Sequence, residues 1–483
     1  MASVPLTPRF AQEACRGLNL EPKIRLIDDF KASGVSELLS SADTSVPQGL
    51  DCFLGMATFF KLLNPDCTLR VFSEDFAHAY KTVGIPVAQA KFATIAMAPP
   101  TGEPHVATLR TQPFGSARAP ANWGRVTKFI QFLMERLFFA VIFIFVDDVF
   151  AVEPLQTISS AHKAFTTLCN LLGFELSAAK AQGPAAAIHL LGANVSFEDH
   201  HVCAKLPDRK RVDLTNDIRQ VLSYNQLNPG QASKLRGRLG FSQSLLFGKV
   251  GRAMLQPLTQ RQYSKTTGRA HPLPNELRDT LSWWLAALEC APPRTIPYRI
   301  VKPVVCYSDA CGIGHVAATV IVDGVRHTAR THLPAWFLQS GAGIFECELA
   351  GVLLGECLAM AVAPGRSVLL CCDNSGSRAA VIRGSCNAVL GRAISSALWL
   401  LAASGAVDLW AEYVRSSLNL ADPPSRMCPL TEKPIPCEGV NMGVPRPFAD
   451  IFTSLDSLFK ASFSAPRLSS EMCAPWPCVS CEK

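Results

Sequence analysis

The chain has 483 residues, 48% hydrophobic and 18% charged, which is enough apolar surface for two to four buried cores and excludes wholesale disorder. Its 46 Lys and Arg against 39 Asp and Glu leave +7, too slight an excess to name a partner by itself. The longest apolar run, 137–146, is about half of a membrane-spanning helix and ends in two aspartates, and the N-terminus has no apolar signal segment.

Between about residues 50 and 200, helical periodicity is clearest at 121–139 and 155–172, and β-type runs fall at 69–72, 140–146, 149–152 and 190–197. That mixture predicts an α+β layer. The segment 201–270 differs: thirteen Lys and Arg stand against Asp208, Asp213 and Asp217, a net +10 that exceeds the charge of the whole chain. Apolar residues at helical spacing over 212–222 and 232–246 make it a basic helical module, although a solvated helix face carries such charge equally well. Five prolines mark 271–300 as a linker around one Trp-bearing helix at 277–288. A second pattern then begins: strands around 301–309, 317–324 and 324–331, the last two joined at Asp323-Gly324, a helix at 345–361, a strand at 367–372, a helix at 385–404 and a strand at 407–414. This predicts an α/β domain over 301–426. The stretch 427–483 shows no period and receives no fold. The 18 cysteines lie scattered in apolar contexts such as Cys371-Cys372 and read as reduced thiols, which points to a cytoplasmic or nuclear protein that is not secreted. Cys473, Cys478 and Cys481 lack a fourth ligand at finger-like spacing.

The chemistry begins at Phe145-Val146-Asp147-Asp148, where two apolar runs flank adjacent carboxylates, a hairpin with acids at its tip. Two such groups about 4 Å apart repel by about 4 kcal/mol at an effective dielectric of 20, so the pair persists if one protonates or cations neutralise both. A solvated turn holds Asp-Asp just as readily; the company decides. Upstream stands Glu74-Asp75-Phe76-Ala77-His78-Ala79-Tyr80, then Gln112-Pro113-Phe114-Gly115. Downstream stand the run Gly173-Phe174-Glu175-Leu176-Ser177 with Lys180, and then Leu191-Gly192.

In that order and spacing the motifs resemble the palm of reverse transcriptases, with Asp75 in D-x-x-x-A-Y, Phe114-Gly115 in the P-F-G turn, Asp147-Asp148 in the x-D-D hairpin and Lys180 in G-F-x-L-S-x-x-K. The resemblance implies that Asp75 and Asp147, assisted by Asp148, hold two Mg²⁺ (Mn²⁺ as substitute) for in-line phosphoryl displacement. It implies that Tyr80 lies under the incoming sugar and selects dNTPs, that Gly115 lets the backbone approach the template–nucleotide pair, and that Lys180 protonates or neutralises the leaving pyrophosphate. The string containing Arg25, R-x-I-D-D-F, is similar to the fingers strand that meets the triphosphate. Only 22 residues precede that string, so the fingers are expected to be partial.

Asp309 in YSDACG, Glu346 and Glu348 in IFECELAG, Asp373 in CCDNSGS and Asp422 in NLADPPSR form a second acidic set. Singly, each is as readily a helix cap. Together, around the second α/β pattern, they resemble ribonuclease H, in which four carboxylates hold two Mg²⁺ and activate water against the RNA strand of a hybrid. Counting from Ile344 selects Glu348 over Glu346. The N-x-A-D-x-x-S-R string is similar to that of tyrosine-recombinase (DIRS-like) retrotransposons. The basic module then sits where a thumb belongs, with Lys234, Arg236 and Arg238 toward primer–template phosphates.

The expected architecture is therefore reverse transcriptase fingers/palm/thumb followed by a ribonuclease H-like domain: partial fingers and palm at 1–200, basic thumb or connection at 201–270, linker at 271–300, ribonuclease H-like domain at 301–426. The expected function is RNA-directed DNA polymerase with ribonuclease H. Its partners are an RNA template, a DNA primer, RNA/DNA hybrid and dNTPs, with no membrane; oligomeric state stays open. The competing reading is an inactive, truncated retroelement remnant that only binds nucleic acid. A third, an unrelated metal-dependent nuclease, leaves the palm motifs unexplained.

Overall fold

Alternating and fully apolar runs in the first two hundred residues build sheets backed by helices. The computed structural model describes residues 6–14, 23–39, 46–97, 101–264, 271–299, 302–427 and 439–460. It divides into two compact units, Met1–Val202 with Ile296–Tyr298, and Cys203–Thr295 with Arg299–Lys483. The class is mixed α+β and α/β, multidomain. No helix among the described residues is long and apolar enough to cross a membrane.

The first unit runs β1 (Thr7–Ala14), β2 (Lys23–Asp28), α1 (Leu50–Leu63), β3 (Leu69–Asp75), β4 (Thr94–Met97), β5 (His105–Thr108), α2 (Ala119–Phe138), β6 (Phe143–Phe145), β7 (Asp148–Pro154), α3 (Ile158–Leu171), β8 (Gln182–Ala185), β9 (Ala187–Leu190) and β10 (Ala193–Phe197). One four-stranded sheet has the order β2-β1-β4-β5 and another the order β6-β7-β3-β8. β7 is buried on both faces, hence its near-continuous apolar sequence. Phe150 meets Phe53 of α1 edge-on at 5.6 Å, while Val149 and Ala151 face a core shared with Trp123, Ile130 and Met134 of α2 and Phe165 of α3. The run read as one strand at 190–197 is instead two strands, β9 and β10, paired antiparallel across Leu191-Gly192. Both turn residues have positive φ (48° and 84°), the geometry of a two-residue hairpin; a leucine there hides the turn from sequence.

β11 (His201–Lys205) carries the chain out of the first unit. There follow α4 (Asp208–Tyr224), α5 (Pro229–Gln243), α6 (Gln256–Gln262), α7 (Asn275–Cys290) and β12 (Arg294–Pro297). Next come β13 (Val304–Ala310), β14 (His315–Val322), β15 (Val325–His332), α8 (Ala335–Gln339), α9 (Ile344–Val362), β16 (Val368–Cys372), α10 (Ser375–Arg383), α11 (Val389–Ser404), β17 (Leu409–Tyr413), α12 (Asp422–Ser425), β18 (Val440–Asn441) and α13 (Arg446–Lys460). The six-stranded sheet has the order β17-β16-β13-β14-β15-β18, with β13-β14-β15 antiparallel and β13-β16-β17 parallel.

Two features of this unit depart from the sequence reading. The stretch 271–300 is read as a linker, yet α7 buries Trp283 and Trp284 in one apolar cluster that runs from Leu214 and Leu235 of the basic helices to Leu353 of α9 and Leu398 of α11. Prolines punctuate a packed helix here, with Pro274 at its N-cap. The stretch 427–483, given no fold, contributes β18 and α13, whose Phe448, Phe452 and Leu455 are buried in the same cluster. Cys473, Cys478 and Cys481 lie outside the described residues.

One charge in that core is out of place. Glu356 on α9 is fully buried and neither carboxyl oxygen has a hydrogen-bond partner. Burial pushes its carboxyl up to about 8. A carboxyl raised in the fold contributes stability below its unfolded value, and that contribution is lost as pH climbs toward the folded one. Glu356→Leu is therefore expected to stabilise the unit by about 1–3 kcal/mol, with the gap to the parent chain widening between pH 5.5 and 8 in urea melts. A gap that narrows with pH would contradict the assignment.

Candidate catalytic centres

The first centre lies where β3 ends beside the β6–β7 hairpin. Antiparallel pairing sets Asp75 directly opposite Asp148, and Asp148 in turn opposite Phe145. Asp147 sits in the turn after Val146, whose φ of 60° is costly for a β-branched residue. That strain is held in place: Trp123 Nε1 donates to the Val146 carbonyl, and Phe76 N–H donates to the Asp147 carbonyl at 2.9 Å. Ser177 N–H reaches the Asp75 carbonyl at 2.8 Å, so the loop carrying Lys180 is pinned to β3. Lys180 Nζ then donates to Asp75 Oδ2 at 2.6 Å, with Asp75 buried and Lys180 half exposed.

The electrostatics follow from crowding. Burial, then Asp147, then Asp75, push the Asp148 carboxyl up to about 6 against the pull of Lys180. Tyr80 is raised by burial and by Asp147, and its ring lies 5.6 Å from that of Phe114. Gly115 has φ +104°, and the carbonyl oxygen of Asp28 occupies the space that a Cβ would need. The close approach that demands glycine in this structure is therefore to the end of β2. Arg25 lies on β2 opposite Gln12.

The second centre is more tightly drawn. Asp309 comes from β13, Glu348 from the second turn of α9, and Asp373 from the end of β16. Their carboxylate oxygens lie within 4.8 Å of one another, the only such trio among the described residues. Glu346, by contrast, caps its own helix by accepting the Gly343 N–H at 2.9 Å. Burial, then Asp309, then Asp373, drive the Glu348 carboxyl up to about 8; burial dominates in raising Asp309 to about 6. Glu348 Oε2 is buried without a hydrogen-bond partner. Hard oxygen donors, mutual repulsion and an unsatisfied buried oxygen are what a divalent cation relieves, so the residues fit Mg²⁺.

Asp422 stands near enough to raise Glu348, but Arg426 holds it through Nε at 3.0 Å and through Nη2. The N-x-A-D-x-x-S-R string thereby gains a physical sense: Asn419 Nδ2 donates to the Ser308 carbonyl at 2.9 Å, Ser425 Oγ donates to Asp309 Oδ2, and Arg426 takes Asp422. On α5, Lys234 and Arg238 are exposed and share a face, Arg238 pairing with Asp217 of α4; Arg236 is turned aside and donates to Thr259 Oγ1 at 2.9 Å.

Three solved structures of foamy viral protease-reverse transcriptase are similar to this chain. The first, with double-stranded DNA, has 14% identity and a TM-score of 0.46 over 85% of this chain and 66% of its own. The second, with RNA/DNA hybrid, has 14% identity and a TM-score of 0.46 over 85% of this chain and 51% of its own. The third, with double-stranded DNA, has 16% identity and a TM-score of 0.47 over 86% of this chain and 79% of its own. No protein-family model and no curated protein matches the sequence.

Sequence reasoning passed over several groups that surround these centres. His162 Nε2 meets the buried Glu74 Oε1 at 2.6 Å and stacks on Phe72, bracing β3 from the side opposite Asp75. Ser416 Oγ donates to Asp373 Oδ2 at 2.5 Å. Trp123 and His162 gave no signal beyond helical periodicity. Ser425 did have one, since it is the serine of the quoted string.

Proposed function

We propose that this chain is an RNA-directed DNA polymerase joined to a ribonuclease H, from a retrotransposon nearest the tyrosine-recombinase (DIRS-like) type. The observation that carries the reading is the β3–β7 register that sets Asp75 opposite Asp148, beside a turn in which strained Val146 presents Asp147 and both carbonyls are held by hydrogen bonds. Asp75, Asp147 and Asp148 would hold Mg²⁺ in the first unit, and Asp309, Glu348, Asp373 and Asp422 in the second. Bound there, the metal supplies charge stabilisation to attacking and leaving oxygens of phosphoryl displacement.

The chain's own residues do the rest. Lys180, poised on Asp75 and open to solvent, moves toward the leaving pyrophosphate and gives it a proton. The Tyr80 ring, seated against Phe114, bars a 2′-hydroxyl and so selects dNTPs. Arg25 meets the triphosphate. Ser425 and Ser416 orient Asp309 and Asp373. Lys234 and Arg238 lie along hybrid phosphates, while the tethered Arg236 shapes α5 against Thr259.

The decisive experiment offers the purified full chain an RNA template with a DNA primer, dNTPs and Mg²⁺, and separately a labelled hybrid. Extension and RNA cleavage are the expected results; binding without either supports the remnant reading. Hybrid affinity is expected to fall steeply with salt, and Lys234→Ala with Arg238→Ala is expected to flatten the log–log slope by about 2. An unchanged slope would remove α5 from the interface.

A further inference from the structure

Asp28 is an unusual place to bury a charge. It closes β2 at 2% exposure, and a single arginine takes both of its oxygens: Arg9 Nε donates to Oδ1 at 2.7 Å and Nη2 to Oδ2 at 3.1 Å. Arg9 is itself only 21% exposed. Such a pair is a poor device for holding two strands together, since apolar side chains of similar volume serve as well or better. What a two-pronged pair does supply is orientation, because the planar guanidinium fixes the carboxylate in angle as well as distance.

The backbone of Asp28 shows what is oriented. Its N–H donates to the Phe114 carbonyl at 3.3 Å, and its own carbonyl oxygen fills the space beside Gly115. The segment leading to that turn is tied back as well: Gln112 N–H donates to the Val83 carbonyl at 3.0 Å, and Val83 N–H to the Tyr80 carbonyl at 3.1 Å. The Phe114 and Tyr80 rings meet at 5.6 Å, tilted by 58°. A continuous run of short contacts therefore links Arg9 to the ring assigned to sugar selection, all within the first unit.

Resting on the polymerase reading of that pocket, the geometry points to Arg9 and Asp28 as positioning residues for the incoming nucleotide. The pair locks the end of β2, the end of β2 sets the height of the Phe114–Gly115 turn, and the turn seats the Tyr80 ring that sorts deoxyribonucleotides from ribonucleotides. Neither residue touches the nucleotide.

The test is primer extension on an RNA template by the full chain and by Arg9→Met, Arg9→Lys and Asp28→Asn. Arg9→Met and Asp28→Asn are expected to raise KM for dNTP about tenfold and to lower the preference for dNTP over rNTP about tenfold, with kcat within about threefold. Arg9→Lys keeps the charge and is expected to recover part of both. A role in folding alone reduces the active fraction, lowering kcat while KM and sugar preference stay at parent values, and that pattern overturns the inference. Should Arg9→Met fail to fold, the milder Lys and Asn changes give the same reading. A parent chain that extends no primer overturns the polymerase reading and this inference with it. A parent that extends, with variants of unchanged KM and preference, overturns this inference alone.

Discussion

Asp75→Asn is expected to reduce DNA synthesis by about a thousandfold or more while hybrid cleavage stays within about twofold. The amide has the shape of the carboxylate, and Asp75 is buried at the end of a strand paired along its length, so the fold should tolerate the change. What is lost is chemical. One hard, charged oxygen donor disappears from the first centre, and Lys180 loses the anion on which it rests. What is gained is also predictable: Asp75 is one of the neighbours that hold Asp148 up at about 6, so the Asp148 carboxyl should fall toward its ordinary value. Asp147→Asn should abolish synthesis comparably. Primer extension and hybrid cleavage measured on one preparation check both halves, and synthesis surviving above about a tenth of the parent rate would sink the assignment of this centre.

Glu348→Gln is expected to move activity and stability in opposite directions. Hybrid cleavage should fall by about a thousandfold or more, because the trio loses one of its two buried carboxylates. The unit should nevertheless melt at a higher temperature near pH 8. Glu348 carries a carboxyl raised from its ordinary value near 4.5 to about 8, so its contribution to folding is present below about pH 4.5 and is progressively lost as pH rises through 8. An uncharged amide removes that loss. The variant should therefore gain over the parent by a few kcal/mol at most around pH 8, and the advantage should shrink toward pH 5. Thermal melts across that range, beside a cleavage assay, decide the matter. A variant that loses activity and stability together would show Glu348 to be a packing residue. Asp373→Asn should lose cleavage as well.

How much of this was legible beforehand depended on whether the signal was local. The hairpin at Asp147-Asp148 could be read because two apolar runs of β type converge on it. The helices α2 and α3 could be read because their apolar faces repeat, and α9 and α11 because their apolar runs are too long for strands. The β9–β10 turn could not, because Leu191 occupies a backbone conformation that leucine seldom adopts. α10 was passed over because it is only nine residues long and its glycine near the start resembles a loop. At the sites, the acid types and their order were visible, whereas their partners were not. Nothing local says that Arg9 will reach Asp28 across nineteen positions, or that Ser425 will reach Asp309 across 116. The first contact is created by pairing of β1 with β2 and the second by packing of α12 against β13, and a short string records only one end of each.

The apolar cluster that joins α4, α5 and α7 to α9 and α11 has a consequence for how the second unit would handle a duplex. One continuous interior fastens the cationic helices to the scaffold of Asp309, Glu348 and Asp373. On the proposed reading, the distance from phosphates held by Lys234 and Arg238 to the bond that is cut would be set by the protein and constant from one substrate to the next, and the fragments released would step in regular lengths along the RNA.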